Sequence, residues 1–395
     1  MISFFRIKIR YLRITTNEKI DLLSDLFCSI FCKSKIQAEW KEQEDLVLLV
    51  TDKVLPRVEK VSLSLRLNDV KVGLIYKNSR NLNKLNYDFC VKYRSPFSAY
   101  RMVRRIKPAV VHVFSSWNFN AAFFLIKRKS KLAPIVFDDY DVWTGIVNQN
   151  YILNHYLPNQ ISRERFCLEN ADGLCCRSLE LQIAKRQFNL KLRKVIFFTE
   201  YLLMNDYSAN NFSESTKSNT IVYAGNLNTN IIRISESVRD IGWNIDVYPA
   251  HFSLKDFAYL PDNLHVHQSV DSSNLIHVLQ QYKFGLIIPP DLAEGNELMY
   301  LPNKRDYAMT GKLFDYIDAG LKVLVKDYSF IMWLIDRMGS LIEMKGDNSL
   351  DAIRKTLLNI KESDIDSSKS TEYLKRYSLK YNGERLIRFY KEIRQ

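Results

Sequence analysis

A lysine and an aspartate, Lys312 and Asp315, lie one helical turn apart in a segment whose residue types suit the binding of a phosphorylated ligand. Gly311 opens the predicted helix, and Gly320 is a typical helix-ending residue. A helix N-terminus offers N–H donors and a positive dipole end to an anion, and Lys312 adds a charge there. Asp315 faces the same side and suits ribose hydroxyls. The segment predicts a nucleotide site or, alternatively, an ordinary helix with surface charges.

A second group of candidate residues follows an apolar run that ends at Asp138. Asp138, Asp139 and Asp141 place three carboxylates within four residues, with Tyr140 between them. Carboxylates at this density can orient a sugar hydroxyl or remove its proton. The same residues also suit a turn in which an aspartate caps the next segment. Both interpretations stay open at the level of sequence.

Three histidines and an arginine complete the set of candidate residues. Arg57 lies just past the first predicted strand, where it can reach a phosphate, and His112 lies on the third, as a core histidine or as part of a binding wall. We assign both to the acceptor side. His265 and His267 share one face of a strand, but no third ligand stands nearby, so we predict no metal site.

The composition argues against several classes of protein. The chain has 395 residues, and 47% of them are hydrophobic, which is too many for a disordered protein. No apolar run reaches the roughly 18 residues that span a bilayer, and the first residues mix Arg and Lys with apolar side chains, unlike a signal peptide. Six cysteines without a CxxC pair indicate a cytoplasmic location. P-loop, GxSxG, HExxH and GxGxxG motifs are missing, which argues against kinases, hydrolases and dehydrogenases.

The net charge of +13 is concentrated in the N-terminal half of the chain. Residues 1–200 carry 34 Lys and Arg against 19 Asp and Glu, whereas residues 201–395 carry 23 against 25. This asymmetry indicates an anionic partner, for which we expect a membrane surface. The expected contacts are Arg6, Lys8, Arg10, Arg13, Arg101, Arg104, Arg105 and Lys107. No nucleic-acid-binding motif is present, so we predict no nucleic-acid partner.

Short β-rich runs alternate with helical segments from residue 45 onward, a pattern typical of parallel sheets. It predicts an α/β protein with two doubly wound, Rossmann-like domains that face a central cleft. The first 44 residues are amphipathic and suit either a membrane interface or an extra packed helix. The predicted divisions are an extension at 1–44, a first domain at 45–204, a linker at 205–219, a second domain at 220–378, and a C-terminal helix at 379–395 that packs back on the first domain.

Several segments resemble a known enzyme family in their order along the chain. The segment Lys312–Val325, KLFDYIDAGLKVLV, resembles the KLFEYLAAGLPVV signature of GT-B nucleotide-sugar glycosyltransferases, particularly glycosyltransferase family four. TIVYAGNL at Thr220–Leu227 and LHVHQSV at Leu264–Val270 resemble donor-domain strands of that family. In the first half, LPRVE, VVHVF, PIVFD and ERFCLENADG resemble the family's other strand and helix patterns. The resemblance extends over residues 45–345.

The resemblance implies a function for each half of the chain. Residues 220–378 become the nucleotide-sugar-binding domain, and residues 45–204 become the acceptor-side domain. The implied donor-binding residues are Gly225, Asn226, His267, Arg305, Lys312, Leu313 and Asp315. The implied catalytic residues are Asp138, Asp139, Tyr140 and Asp141.

Departures from the family pattern bear on activity. Asp315 replaces the second glutamate of the family's EX7E motif, and Tyr307 stands where the first would fall. Tyr140 occupies the position of the family's active-site histidine. These replacements leave open a second interpretation, a catalytically inactive GT-B-like subunit that acts as a partner or acceptor-binding protein.

The preferred interpretation is a hexosyltransferase-type glycosyltransferase. It would use a UDP- or GDP-sugar as substrate and need no cofactor and no metal, and it would retain the donor's anomeric configuration. Its acceptor would be a glycan or a lipid-linked molecule in the synthesis of cell-surface polysaccharide. We expect it in the cytoplasm, peripheral at the inner face of the plasma membrane.

Overall fold

The fold is α/β, with two compact units that each contain a parallel sheet. The first unit comprises residues up to Thr199 together with Gly383–Gln395, and the second comprises Glu200–Asn382. A computed structural model describes residues 43–79, 82–116, 119–146, 158–177, 179–198, 217–249, 259–270, 272–288, 310–325, 329–338, 341–344, 349–360 and 371–395. Residues 1–42 of the predicted extension therefore lie outside the described residues.

The first unit contains a seven-stranded sheet in the order β3-β2-β1-β4-β5-β6-β7, with parallel pairing throughout. This doubly wound order reverses direction between β1 and β4. The strands are β1 (Gln43–Lys53), β2 (Lys71–Asn78), β3 (Phe89–Lys92), β4 (Pro108–Phe114), β5 (Ile135–Asp139), β6 (Gly173–Cys176) and β7 (Lys194–Phe197). The helices are α1 (Pro56–Arg66), α2 (Pro96–Ile106), α3 (Asn120–Ile126), α4 (Trp143–Ile146), α5 (Pro158–Asn170) and α6 (Glu180–Phe188).

Burial on both faces explains the near-continuous apolar strands. Residues 46–50 of β1 are all buried because helices cover both sides of the sheet. Helix α2 shows how local sequence sets the ends of these helices. Ser95 and Ser98 form a reciprocal cap at its start, Pro96 occupies its first turn, and Lys107 ends it in the left-handed conformation.

The C-terminal helix α13 (Leu379–Arg394) runs from the second unit into the first. Its residues Leu386, Phe389 and Tyr390 are buried. A β-carbon built at Gly173 would lie 2.8 Å from the Phe389 ring, so only glycine lets this helix approach β6 so closely.

The second unit repeats the doubly wound order in a sheet of six strands, β10-β9-β8-β11-β12-β13, with parallel pairing. The strands are β8 (Lys217–Ala224), β9 (Asn244–Tyr248), β10 (Leu264–Val266), β11 (Tyr282–Ile287), β12 (Lys322–Val325) and β13 (Leu341–Glu343). The helices are α7 (Thr229–Val238), α8 (Ser272–Leu279), α9 (Lys312–Asp318), α10 (Ser329–Met338), α11 (Ser349–Asn359) and α12 (Thr371–Arg376).

Helix α9 ends as its glycine predicts. Gly320 adopts a φ of +80°, and its N–H donates to the carbonyl of Ile317. The N–H of Leu321 donates to the carbonyl of Tyr316, which completes a Schellman motif. This termination fixes where β12 begins.

The structure differs from the predicted elements at several strands and helices, among them α4 and α10, which were not predicted. Strands β3 and β13 were not predicted. The residues of β3 are only partly buried, so its sequence lacks the long apolar run of a central strand. Strand β8 begins at Lys217 and so includes the last three residues assigned to the linker, a polar stretch that nevertheless extends the sheet. Helix α3 ends at Ile126, three residues before the end of the helix that the sequence predicts over 119–129, and a 3-10 turn at Lys129–Lys131 follows it.

Among the described helices, none is long and apolar enough to cross a membrane.

Candidate functional site

Lys312 and Gly225 meet at the carboxyl end of β8 in the second unit. A β-carbon built at Gly225 would lie 2.2 Å from the Lys312 Nζ, so the glycine leaves room for the ammonium group. The Nζ also lies 3.9 Å from the centre of the Tyr223 ring, in cation–π contact. Within the described part of the chain, no carboxylate is paired with Lys312. An ammonium held in this way can accept an anionic ligand.

Buried side chains of α9 attach the helix to the sheet of the second unit. The Tyr316 hydroxyl accepts a hydrogen bond from the Ala224 N–H at 2.9 Å and lies 3.2 Å from the Leu286 carbonyl oxygen, which ties α9 to two strands. Leu313 is fully buried in the core, so only its backbone could face a donor, and its assignment as a donor-binding residue stays a prediction. Asp315, one turn after Lys312, is only half-buried.

His267 belongs to a polar cluster around the buried Asp246. Its ring stacks on Tyr248 with centroids 4.5 Å apart, and its Nε2 lies 3.2 Å from Asp246 Oδ2, without hydrogen-bond geometry. His265 is hydrogen-bonded to the other oxygen of Asp246 at 3.0 Å, and Tyr282 donates to Oδ2 at 2.5 Å. Burial would raise the pKa of Asp246, but the Lys217 ammonium, which donates to Oδ2 at 2.6 Å, and the hydrogen bonds from Tyr282 and His265 hold it below its ordinary value. Stacking therefore holds the His267 ring beside Tyr248, next to the Asp246 carboxylate.

Of the two remaining donor-side residues, Asn226 and Arg305, the structure describes only Asn226. Asn226 directly follows Gly225 and is exposed. Arg305 lies outside the described residues, so its predicted role stays a prediction.

In the first unit, Arg57 and His112 converge on the buried Asp138. Arg57 Nε donates to Asp138 Oδ1 at 2.8 Å, and His112 Nε2 lies 3.1 Å from Oδ2. The other ring nitrogen of His112 lies 2.5 Å from the Tyr390 hydroxyl oxygen on α13. Both His112 and Asp138 have no exposed surface. This arrangement is an internal ion-pair network.

Electrostatics determine the charge state of this network. Burial would raise the pKa of Asp138, yet the Arg57 guanidinium and the His112 ring hold it below its ordinary value. Burial lowers the pKa of His112. His112, Asp138 and Cys175 bring three potential metal ligands within 4.8 Å, but Arg57 Nη2 lies 3.6 Å from the Cys175 sulfur. A guanidinium thus already supplies the positive charge that a metal ion would bring.

Asp139 points away from Asp138, because successive residues of a strand face opposite sides of the sheet. Asp139 is fully buried, and among the described residues neither of its oxygens has a partner in hydrogen-bond geometry, although the Ser115 and Glu164 side chains lie close to it. Burial and the nearby Glu164 carboxylate raise the pKa of Asp139 well above its ordinary value. Burial raises the pKa of Glu164 to about 7. The two carboxyl groups can therefore hold a proton at neutral pH.

Tyr140 and Asp141 are the members of the aspartate-rich segment that reach the surface. Arg177 forms an ion pair with Asp141, and its guanidinium lies 3.8 Å from the centre of the Tyr140 ring. The Asp141 side chain is 39% exposed. The three carboxylates thus have three separate sets of partners, and their assignment as one catalytic cluster stays a prediction.

Buried acids hold the loop that carries Tyr140 and Asp141. Glu164 accepts from the Trp143 N–H at 2.7 Å and from the N–H and hydroxyl of Thr144. Glu180 accepts from the Val142 N–H at 3.3 Å. Neither glutamate stood out in the sequence, because only the fold shows that they approach this loop.

Other residues near this edge of the sheet were also missed. Asp52, at the end of β1, accepts hydrogen bonds from the hydroxyls of Tyr93 and Ser116. Asp52 and Arg177 lie at or just past the ends of buried strands, a signal that could have found them. Tyr390 offers no such signal, since it lies 278 residues from its partner His112.

Comparison with solved structures shows which fold the chain has. HepE from Anabaena, solved in complex with UDP-glucose, matches with a TM-score of 0.56 at 9% identity over 88% of this chain and 98% of that chain. AviGT4, a glycosyltransferase involved in avilamycin A biosynthesis, matches with a TM-score of 0.55 at 10% sequence identity. The match covers 88% of this chain and 98% of AviGT4. The lipopolysaccharide outer core galactosyltransferase WaaB matches with a TM-score of 0.55 at 11% sequence identity. The match covers 88% of this chain and 99% of WaaB. No protein-family model and no curated protein matches the sequence.

The predicted fold is confirmed by these matches and by the two doubly wound sheets. The chain has the GT-B fold of nucleotide-sugar glycosyltransferases along most of its length. Membership of glycosyltransferase family four stays a prediction, because sequence identities of 9–11% show the fold alone.

Proposed function

We propose that this protein is a glycosyltransferase that moves a hexosyl group from a UDP- or GDP-sugar to a glycan or lipid-linked acceptor in cell-surface polysaccharide synthesis. The observation that carries the proposal is the Lys312 ammonium beside Gly225, at the carboxyl end of β8. This is the edge where doubly wound sheets bind ligands. The GT-B fold adds support, because HepE was solved with UDP-glucose.

In this proposal the donor lies against the second unit. Lys312 neutralises the diphosphate, and Gly225 lets it approach the backbone. Asp315 accepts from the ribose hydroxyls, and the stacked pair of His267 and Tyr248 offers an aromatic edge to the base. Asn226 and Arg305 are the remaining donor-side candidates.

The acceptor contacts the first unit at Tyr140 and Asp141, whose side chains reach the surface. Asp138, Arg57 and His112 position this segment from inside. The acceptor hydroxyl oxygen bonds to the anomeric carbon on the face that the donor's diphosphate leaves, while the bond from that carbon to the diphosphate breaks. The diphosphate takes the electron pair, and the hydroxyl proton passes to the released nucleoside diphosphate. Lys312 stabilises the charge that develops there. We propose a retaining reaction that uses neither a metal ion nor another cofactor, at the inner face of the plasma membrane.

Nucleotide binding to matched variants tests the donor site. UDP and GDP should raise the unfolding temperature of the wild type, because a ligand that binds the native state stabilises it. Lys312→Ala should weaken nucleotide binding about 10- to 100-fold, because a charge-assisted contact is lost. Gly225→Ala should weaken it similarly without loss of stability, because the new methyl group displaces a flexible lysine end. Lys355→Ala, an exposed lysine on α11, is the control. Equal affinity of all four proteins would place the donor elsewhere.

An inactive GT-B-like subunit is the competing function. The burial of Asp138 and Asp139 favours it, since neither carboxylate reaches solvent. Such a subunit would bind UDP or GDP yet release neither from any nucleotide sugar mixed with cell extract. Release of nucleotide by the wild type, and not by Lys312→Ala, supports the enzyme.

A further inference from the structure

The surface of α2 and α3 in the first unit carries cations without acids. Residues 89–137 include ten Lys and Arg but no Asp or Glu. The exposed cations of the two helices and the turn that follows them are Arg101, Arg104, Arg105, Lys107, Lys127, Arg128 and Lys131. In the described part of the chain, neither Arg104 nor Arg128 forms an ion pair. At Arg104 and Arg128, therefore, no described carboxylate compensates the positive charge.

Aromatic rings lie directly beneath these cations. Phe97 and Tyr100 of α2 pack against Phe124 of α3, with ring centroids 6.3 and 6.2 Å apart. Phe123 packs against Phe166 of α5 with centroids 5.1 Å apart. Phe97, Phe123 and Phe124 are only partly buried. Apolar ring surface thus remains accessible between the charges.

Cations lie close to these rings. The Arg128 guanidinium lies 3.7 Å from the centre of the Phe124 ring, and Arg104 lies 5.9 Å from that of Tyr100. Lys127 lies 5.6 Å from the centre of the Phe123 ring. Such contacts hold the long side chains along the apolar surface while their charged ends stay in water. We call this combined surface of α2 and α3 the basic–aromatic face.

We propose that the basic–aromatic face docks on an anionic lipid bilayer. Charge complementarity favours an anionic bilayer as the binding partner, because the cations attract anionic headgroups. The accessible rings can enter the interfacial region of the membrane. Single-stranded nucleic acid fits less well, because base stacking needs open ring faces. Here the Phe124 ring already has Arg128 above it and two rings at its side. The proposal is independent of glycosyl transfer, since docking requires no sugar donor.

Vesicle sedimentation of the full chain tests the proposal. The wild type should sediment with vesicles of equimolar phosphatidylglycerol and phosphatidylcholine at low salt, and not with phosphatidylcholine alone. Added salt should release it. The variant Arg104→Gln/Lys127→Gln/Arg128→Gln should partition about 100-fold more weakly, since each cation contributes roughly fivefold. Circular dichroism verifies that the variant is folded.

A matched variant separates this face from net charge alone. Lys185→Gln/Arg186→Gln/Lys191→Gln removes three exposed cations from the same unit, on and just after α6. It should keep most of the vesicle binding. Equal losses in both variants, equal binding to neutral vesicles, or no binding by the wild type would overturn the proposal. Loss of DNA-oligonucleotide binding in the first variant with vesicle binding intact would also overturn it, in favour of a nucleic-acid surface.

Discussion

Charged side chains in this molecule are held in two different ways. Asp138 is fully buried and has Arg57 and His112 around it, so its charge is satisfied inside the first unit. Asp141, three residues later, is partly exposed and has Arg177 as its ion-pair partner. An ion pair at the surface can exchange partners with a ligand at low cost, whereas a buried one cannot. Asp141 is therefore the better candidate for contact with an acceptor.

Substitution of these two aspartates should have opposite consequences. Asp141→Asn should reduce turnover, measured as UDP or GDP release, while it leaves nucleotide affinity and stability near those of the wild type. Asp138→Asn should lower the free energy of unfolding by about 3–5 kcal/mol, because it leaves Arg57 buried without its counter-charge. Urea denaturation measures the second effect. Equal stability of the two variants would contradict this division of roles.

At the scale of elements, the loop after β5 depends on carboxyl groups from two helices. Glu164 on α5 and Glu180 on α6 accept hydrogen bonds from the backbone of residues 142–144. Gly145 packs so closely that a β-carbon there would lie 2.2 Å from the Glu180 carbonyl oxygen. The position of Tyr140 and Asp141 thus depends on the packing of α4, α5 and α6.

The carboxyl pair beneath this loop should make stability depend on pH. The folded chain raises the pKa of Asp139 and brings that of Glu164 to about 7, so it holds a proton that the unfolded chain releases. Stability should therefore be highest in mildly acidic solution and fall as the pH rises through 7. Asp139→Asn should flatten this dependence and stabilise the protein at pH 8 by roughly 1–3 kcal/mol, because one of the two charges is gone. Urea denaturation across pH measures it, and an unchanged slope would contradict it.

At the scale of the whole molecule, the chain ends by returning to the unit in which it began. Residues from Gly383 onward belong to the first unit, where Tyr390 reaches His112 and Arg385 donates to the Phe197 carbonyl at 3.2 Å. Buried side chains of α13 complete the packing of β4 and β6. The stability of the first unit therefore depends on the last thirteen residues of the chain.

Removal of one hydroxyl should reveal this dependence. Tyr390→Phe should cost about 1–3 kcal/mol of unfolding free energy, because His112 Nδ1 would be buried without a partner. Tyr381→Phe, in the same helix but 41% exposed, should cost little. Differential scanning calorimetry should assign the loss to the first unit. A loss confined to the second unit, or equal losses in both variants, would contradict this account.

The sequence by itself determined the features that depend on neighbouring residues. Alternation of apolar runs and helical segments predicted the α/β class, and Gly311 and Gly320 predicted both ends of α9. These signals are local, because hydrophobic periodicity and capping act over a few residues. Strand β3 was not predicted because its residues are only partly buried, so its sequence lacks a long apolar run.

Only the tertiary structure decided which charged groups meet. Arg57 and Asp138 are 81 residues apart, and His112 and Tyr390 are 278 apart. The same structure separates Asp138 from Asp139, which the sequence had placed in one cluster, because neighbouring residues of a strand face opposite sides of the sheet. Partners so distant along the chain are set by strand order and helix packing, which no local pattern encodes.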